Sequence, residues 1–388
     1  MHVLLRIALI VILLTALPDL YILRRYLRAA SPWAKRLYWA PSVILWIGLI
    51  ALLAPHDFAQ DSMMRMSYYV LALVCISVPK VLFTLVSLLL RGLRRITPVV
   101  RRIELPIALC VALSSLGFLL YSAIEGVEHF TVRRVTLTSP DLPAAFDGYR
   151  LVQFSDFHAG SWNPDGRAVQ RGVDSLLAQK GDVILFTGDL VNNLATEVDP
   201  FMDILRQLHA PDGVYSVLGN HDYSLYIPWK NEADRLANLE SLKQKEADMG
   251  WRMLNNDRVI LRRGNDSIAL AGVENSGNPP FPDEADLPRA LQGTEGMYTV
   301  LMSHDPTHWR REVLPKSRVQ LMLAGHTHDM QIRLFGFSPS RYVYPEHDGL
   351  YTEEGRHLFV NIGLGHLLFP MRIGAWPEIT VITLRRSE

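Results

Sequence analysis

Hydrophobic residues follow one pattern before residue 126 of the chain and another after it. The first part contains four stretches of about 20 mostly apolar residues, each long enough to cross a bilayer as a helix. They are approximately residues 3–23, 37–54, 68–90 and 105–124. We therefore expect residues 1–126 to form a transmembrane region of about four helices and residues 127–388 to form a separate domain.

After residue 126, short runs of β-branched and aromatic residues predict strands. Runs at 150–155, 182–187 and 214–218 are separated by segments at 165–179 and 198–208, which have the apolar spacing of amphipathic helices. Strands that alternate with helices are typical of an α/β layered core.

Further along the chain, the predicted helices become short. Residues 258–271 predict a hairpin with its turn at 264–266, and residues 298–302, 319–324 and 378–384 predict further strands. We infer an α/β domain in which two packed mixed β-sheets are flanked by helices.

Basic residues between the apolar stretches predict how the chain crosses the membrane. The first and third connections each carry five Lys or Arg, whereas the second carries only Arg65. The ten are Arg24, Arg25, Arg28, Lys35 and Arg36, then Arg91, Arg94, Arg95, Arg101 and Arg102. The positive-inside rule places these two connections in the cytoplasm. We therefore expect a multi-pass protein of the cell (inner) membrane, with the C-terminal domain on the periplasmic or extracellular side.

Two ionisable residues, Asp19 and Lys80, fall within the predicted spans. A charged group at such depth costs several kcal/mol unless it is paired or reaches the interface. We expect Lys80 to pair with Asp19 or to extend towards the cytoplasmic face, in either case as a structural contact.

Five predicted strands end in residues that can bind a metal or move a proton. In chain order these are Asp156 with His158, Asp189, Asn220 with His221 and Asp222, His304, and His326 with His328. Carboxylate, imidazole and amide oxygen form a ligand set that suits Mn²⁺, Fe or Zn²⁺. Two such ions about 3.5 to 4 Å apart can clamp a phosphoryl group and lower the pKa of a bound water.

The order of these groups resembles the five motifs of the calcineurin-like metallophosphoesterases: Asp-x-His, Gly-Asp, Gly-Asn-His-Asp, a lone His and Gly-His-x-His. Residues 142–148 and 363–379 are similar to the membrane-associated bacterial branch of that family. The resemblance covers roughly residues 130–388. It implies a four-layer sandwich, with two sheets between helices, and a hydrolase of phosphate mono- or diesters.

The resemblance also implies a role for each residue. Asp156, His158, Asp189 and His328 would hold one divalent ion, and Asp189, Asn220, His304 and His326 would hold a second, with Asp189 bridging the two. A hydroxide between the ions would attack phosphorus. His221 would be the general acid, and Asp222 would orient its ring.

The chain departs from the pattern of this branch after its last motif. Asp329, Met330 and Gln331 follow Gly-His-Thr-His, where the branch usually has Gly-Gly-Gln, and we expect this change to affect substrate access more than metal binding. His308, His347 and His366 are expected at the surface or behind the ligands. Arg333 and Arg372 are expected to be solvated rather than to meet the phosphate.

The leading hypothesis is a membrane-anchored, two-metal phosphoesterase that acts on phosphate esters at the outer face of the membrane, where a lipid headgroup or a lipid-linked diester is at hand. One alternative is a nucleotide-lipid pyrophosphatase with a cytoplasmic substrate. Another is a catalytically silent metal-binding sensory module. Formal charge is balanced, with 39 Lys and Arg against 39 Asp and Glu, so no nucleic-acid partner is predicted.

Overall fold

The computed structural model of the chain describes residues 2–53, 60–93, 97 and 99–387. The chain divides into two compact units, one of Met1–Glu125 with Leu368–Met371 and one of Gly126–Leu367 with Arg372–Glu388. Ala54, Arg94 and Arg95, which enter the predictions above, lie outside the described residues.

In its described part, the N-terminal unit has four helices where the apolar stretches predict them. They are α1 His2–Arg25, α2 Pro32–Leu53, α3 Gln60–Leu93 and α4 Val100–Ile124. Among the described residues, three helical segments are long and apolar enough to cross a membrane: Pro32–Leu52, Arg65–Leu93 and Val100–Glu128. Helix α1 is not one of these three.

The predicted pair of Lys80 and Asp19 is confirmed. Lys80 Nζ lies 2.8 Å from Asp19 Oδ1, and the hydroxyl of Tyr38 donates to the same oxygen at 2.8 Å. Ser42 donates a short hydrogen bond to Asp19 Oδ2. The fully buried carboxylate of Asp19 is therefore compensated within the helix bundle, as a charge in an apolar setting must be.

The second unit contains two six-stranded mixed sheets, as predicted. In spatial order the first sheet is β1 Thr131–Ser139, β12 Glu378–Arg386, β2 Arg150–Phe154, β3 Val183–Phe186, β4 Val214–Ser216 and β5 Arg252–Met253. Strands β2 to β5 pair in parallel, and β12 runs antiparallel to β2.

The second sheet is, in spatial order, β10 Gly349–Glu353, β11 Arg356–Val360, β9 Leu321–Ala324, β8 Thr299–Met302, β7 Asp266–Gly272 and β6 Asp257–Arg263. Its four central strands are parallel, and both outer pairs are antiparallel. The predicted hairpin is confirmed as β6 and β7, which pair up to Arg263 and Asp266 across a two-residue turn.

Side-chain alternation along the strands explains why the sheets pack face to face. Leu151, Val183 and Leu185 point into a core that they share with residues of the second sheet such as Val300 and Leu323. Their neighbours in sequence, Val152, Ile184 and Phe186, belong to a second core on the outer face, together with helix residues Val169, Val173 and Leu176. Both faces of these strands are buried, so the strands are almost continuously apolar.

The helices of this unit are α5 Arg167–Leu177, α6 Met202–Leu205, α7 Glu232–Asp248, α8 Leu287–Ala290 and α9 Leu314–Lys316. The helix predicted at 198–208 is wrong for most of its length. Residues Ala195–Phe201 form a 3₁₀ stretch that contains Pro200, and only α6 is α-helical. Proline lacks an amide proton and clashes with the preceding helical turn, which apolar spacing alone does not reveal.

A buried carboxyl group joins α7 to the first sheet. Glu246 is fully buried, and one of its oxygens accepts a short hydrogen bond from Ser216 of β4. Its other oxygen, Oε1, has no hydrogen-bond partner within the described residues. Burial raises the pKa of Glu246 to about 8, because a charged carboxylate is poorly solvated there.

Replacing Glu246 by Gln should make stability less dependent on pH. The pKa of Glu246 is about 8 in the fold against 4.5 for an ordinary Glu, so its contribution to stability is complete below about pH 4.5 and is lost as pH rises through about 8. Between about pH 5.5 and about pH 8.5, the thermal unfolding midpoint of the full-length protein in detergent should fall less in Glu246→Gln than in the wild type. Exposed Glu240 on the same helix supplies the control Glu240→Gln, which should follow the wild type. Equal pH dependence in all three proteins would contradict this assignment.

Candidate metal centre

The predicted site residues lie in loops that follow strands of both sheets. The loops after β2, β3 and β4 come from the first sheet, and those after β8 and β9 come from the second. Five of the residues have a left-handed backbone: Asp156 with φ 51°, His158 with φ 49°, Asp189 with φ 62°, His326 with φ 74° and His328 with φ 48°. Non-glycine residues seldom adopt this conformation, and where they do they concentrate at functional sites.

Hydrogen bonds between the loops fix these turns. The amide of Asp156 donates to the carbonyl of Gly188 at 2.8 Å, and the amide of His158 donates to the carbonyl of Asp189 at 3.1 Å. The amide of His326 donates to Asp156 Oδ2 at 3.0 Å. The carboxylate of Asp156 therefore connects a loop of the first sheet to a loop of the second.

Asp156, His158 and His328 form the first cluster of metal ligands. His158 Nε2 lies 3.0 Å from His328 Nε2, which lies 3.2 Å from Asp156 Oδ1. All three side chains are buried.

Asp189, His304 and His326 form the second cluster. His304 Nε2 lies 3.2 Å from Asp189 Oδ2, and His326 Nδ1 lies 2.7 Å from the amide oxygen of Asn220. The same Asp189 oxygen is 3.7 Å from His158 Nε2 of the first cluster. The structure thus brings all seven predicted ligands together, with Asp189 between the two groups.

The donor set fits divalent ions. His158 Nε2 and His328 Nε2 lie 3.0 Å apart, close enough for one ion to contact both nitrogens. His304 Nδ1 donates to the carbonyl of Thr187 at 2.7 Å. Its buried Nε2 has no hydrogen-bond partner within the described residues and faces a carboxylate. A nitrogen in that position requires a proton or a cation.

Electrostatics favour a cation for the same reason. Burial alone would lower the pKa of His304, but Asp189 and Asp156 raise it to about 10. Burial would raise the pKa of Asp189, but His304 and His221 hold it well below its ordinary value. Asp189 therefore stays ionised, and a proton on His304 or a divalent ion can balance it. Burial lowers the pKa of His158 to about 3 and that of His326 to about 4, so both rings are neutral donors.

The structure corrects the expectation that Asp222 orients the ring of His221. His221 Nδ1 lies 2.8 Å from the carbonyl of Asn192, which holds the ring. The carboxylate of Asp222 instead accepts hydrogen bonds from four backbone amides, those of Asp189, Leu190, Val191 and Gly219. Asp222 therefore fixes the loop that carries Asp189. Its carboxylate contacts backbone amides rather than the ring of His221.

Two tyrosines that the motifs did not indicate also contact the ligands. The hydroxyl of Tyr226 accepts a 2.7 Å hydrogen bond from the amide of Asn220, and that of Tyr344 lies 2.9 Å from His326 Nε2. Tyr226 also stacks obliquely on His221, with ring centroids 4.5 Å apart. Only the position of Tyr226, shortly after Gly-Asn-His-Asp, could have indicated its role from sequence.

The two arginines are not solvated as expected. Arg372 is fully buried, and its guanidinium donates to the carbonyls of Ile362, Gly363, Gly365 and Ala375. Arg333 pairs with Asp329 and Asp348, at 2.7 Å in each case. Through these contacts both arginines hold loops around His328.

Comparisons with known proteins agree with this geometry. Residues 149–330 match the family described as calcineurin-like phosphoesterase. Residues 5–127 match a second family, described as a probable calcineurin-like phosphoesterase transmembrane domain. The second match covers all four N-terminal helices, including α1, and supports a membrane location.

Among its relatives is the metallophosphoesterase YkuE of Bacillus subtilis, 31% identical over 276 residues, which are 68% of this chain and 87% of that protein. The phosphodiesterase YaeI of Escherichia coli is 29% identical over 251 residues, 61% of this chain and 82% of YaeI. The UDP-2,3-diacylglucosamine pyrophosphatase LpxG of Chlamydia trachomatis is 39% identical over 100 residues, 24% of this chain and 30% of LpxG. The resemblance seen in the motifs is thereby confirmed: the chain belongs to the calcineurin-like metallophosphoesterases, metal-dependent hydrolases of phosphate esters, and carries the transmembrane domain found in part of that family.

Proposed function

We propose that the protein hydrolyses phosphate mono- or diesters of membrane lipids, with two divalent ions of Mn, Fe or Zn. The observation that carries the proposal is the position of Asp189 Oδ2, 3.2 Å from His304 Nε2 and 3.7 Å from His158 Nε2. One carboxylate oxygen between two ligand clusters is suited to bridging a pair of ions. Bound there, the ions would supply positive charge to the phosphoryl oxygens and an activated water.

The residues of the chain then have two roles, to bind the ions and to transfer a proton. His158, His304, His326 and His328 offer neutral or exchangeable nitrogens to the ions, and Asp156, Asp189 and Asn220 offer oxygens. His221 belongs to neither cluster and is partly exposed. Its Nδ1 is held by the carbonyl of Asn192, so the ring, when protonated, would give a proton to the leaving oxygen from Nε2.

Two observations support a lipid as the substrate. The chain carries helices apolar enough to cross a membrane, and the relative LpxG is described as acting on UDP-2,3-diacylglucosamine, an acylated sugar nucleotide. The same relative favours a second candidate, hydrolysis of a nucleotide-lipid pyrophosphate at the cytoplasmic face. A silent sensory module is disfavoured, because none of the seven ligand positions is lost.

Two substitutions should separate metal binding from proton transfer. We expect Asp189→Asn to lose bound metal and turnover of bis(p-nitrophenyl) phosphate, because both clusters depend on its charge. His221→Ala should keep its metal and lose about 10² to 10⁴ in rate. The measurements are metal content by mass spectrometry and kcat with Mn²⁺ on the full-length protein. His209→Ala, at an exposed histidine outside the site, is the control for both. Equal loss of metal in the two site variants would refute these roles.

The side of the membrane can be tested by reporter fusions. The distribution of basic residues leads us to expect that alkaline phosphatase fused to the C terminus is active and that green fluorescent protein fused there is dark. Fusions after Ala30, in the first connection, should give the opposite pattern. A fluorescent C-terminal fusion with inactive phosphatase would favour the cytoplasmic pyrophosphatase.

A further inference from the structure

The second unit exposes a group of large apolar side chains next to the metal centre. We call residues 334–343 the aromatic loop. Phe335 is fully exposed, Tyr342 is 78% exposed and Val343 is 57% exposed. Leu334 and Phe337 are exposed as well. Single apolar side chains on a surface are ordinary, but five within ten residues indicate a surface that meets an apolar partner.

The first part of the aromatic loop is a tight turn rather than an irregular segment. The backbones of Leu334 and Phe337 exchange two hydrogen bonds of 2.9 Å. Between them, Phe335 and Gly336 have φ of 52° and 78°, as in the turns of two-residue hairpins. The ring of Phe337 lies against that of Tyr342, with centroids 6.0 Å apart. The backbone therefore places Phe335 at the tip, where its side chain contacts solvent.

Both ends of the aromatic loop are tied to the metal centre. At one end, Arg333 pairs with Asp329, the residue after the ligand His328. At the other end, Tyr344 contacts the ligand His326 through its hydroxyl. The aromatic loop is therefore anchored at both ends to residues of the metal centre.

The composition of the aromatic loop indicates which partner that is. Residues 332–345 contain no Asp or Glu, and Arg341 is exposed among the apolar side chains. Exposed Leu, Phe and Tyr side chains together with an arginine are typical of segments that lie at a membrane interface. The same chain also carries helices apolar enough to span a bilayer.

We propose that the aromatic loop inserts into the boundary between lipid headgroups and acyl chains of a phospholipid bilayer. The metal centre then works at the lipid surface, where a headgroup phosphate can reach it without the lipid leaving the membrane. The evidence for the insertion itself is the set of exposed apolar side chains in the aromatic loop. Its use in catalysis rests on the proposed lipid phosphoesterase activity.

Site-specific fluorescence tests the insertion without reference to activity. Cys75 and Cys110 are free cysteines, so Phe335→Cys is made in full-length protein with Cys75→Ala and Cys110→Ala, labelled with NBD, and placed in nanodiscs of phosphatidylcholine and phosphatidylglycerol. We expect blue-shifted emission that doxyl-labelled phosphatidylcholine quenches. The matched control is Leu236→Cys on α7, where an exposed leucine, 49% exposed, is equally able to carry the probe. Its emission should remain that of a probe in water.

Two results would overturn the proposal. Emission at position 335 that resembles the control, with no quenching by doxyl lipid, would show that the tip remains in water. Blue-shifted emission that doxyl lipid does not quench would show that the tip is covered by protein, such as a second copy of the chain.

A second measurement tests the catalytic consequence. Phe335→Ser should lower hydrolysis of hexadecyl p-nitrophenyl phosphate carried in nanodiscs several-fold and leave hydrolysis of soluble bis(p-nitrophenyl) phosphate unchanged, whereas Leu236→Ser should affect neither. Equal loss of both activities would instead assign the tip a role in the structure of the site. If no variant and no wild-type protein hydrolyses either ester, the proposed function fails, and lipid quenching at position 335 alone decides the insertion.

Discussion

The catalytic edge of this protein depends on one buried negative charge, the carboxylate of Asp189. Its pKa is held well below the ordinary value by the surrounding imidazoles, although burial opposes this. Asp189 also affects two further buried carboxyls. Burial and the charge of Asp189 raise the pKa of Asp222 to about 7 and that of Asp156 to about 6. The charge of Asp189 thus opposes ionisation of Asp156 and Asp222, and added positive charge would relieve that opposition. This edge of the two sheets therefore attracts cations in the absence of substrate.

That arrangement requires the loops of two sheets to approach more closely than ordinary residues allow. A Cβ atom on Gly219 would overlap the carboxylate of Asp189, and one on Gly325 would overlap the hydroxyl of Ser155. Gly219 and Gly325, which precede Asn220 and His326, are thus packing requirements, since a group on a neighbouring loop occupies the space where their side chains would lie. The glycines in the Gly-Asn-His-Asp and Gly-His-x-His motifs therefore reflect this close packing of the loops.

The sequence was informative where local pattern decides the structure. Apolar runs predicted the strands, and the residues after them, with the family resemblance, supplied the seven candidate ligands that the structure brings together, because parallel strands deliver their ends to one edge. The sequence did not predict several contacts between residues that are distant along the chain. Nothing in the sequence pairs the carboxylate of Asp222 with amides of the preceding loop, or shows that Arg372 is enclosed by carbonyls. Tyr344 was missed for the same reason, since its contact with His326 spans 18 residues and belongs to no motif.

The residues after the last motif, Asp329 and Met330, have an uncommon backbone conformation. Asp329 and Met330, where the branch usually has two glycines, adopt φ of 50° and 49°, a conformation that costs an ordinary residue roughly 1 to 2 kcal/mol. Two residues with side chains thus adopt a conformation that glycine adopts without this cost. Arg333 pairs with the buried carboxylate of Asp329 at 2.7 Å and leads directly into the aromatic loop. This ion pair links the loop that carries His328 to the exposed apolar surface beside it.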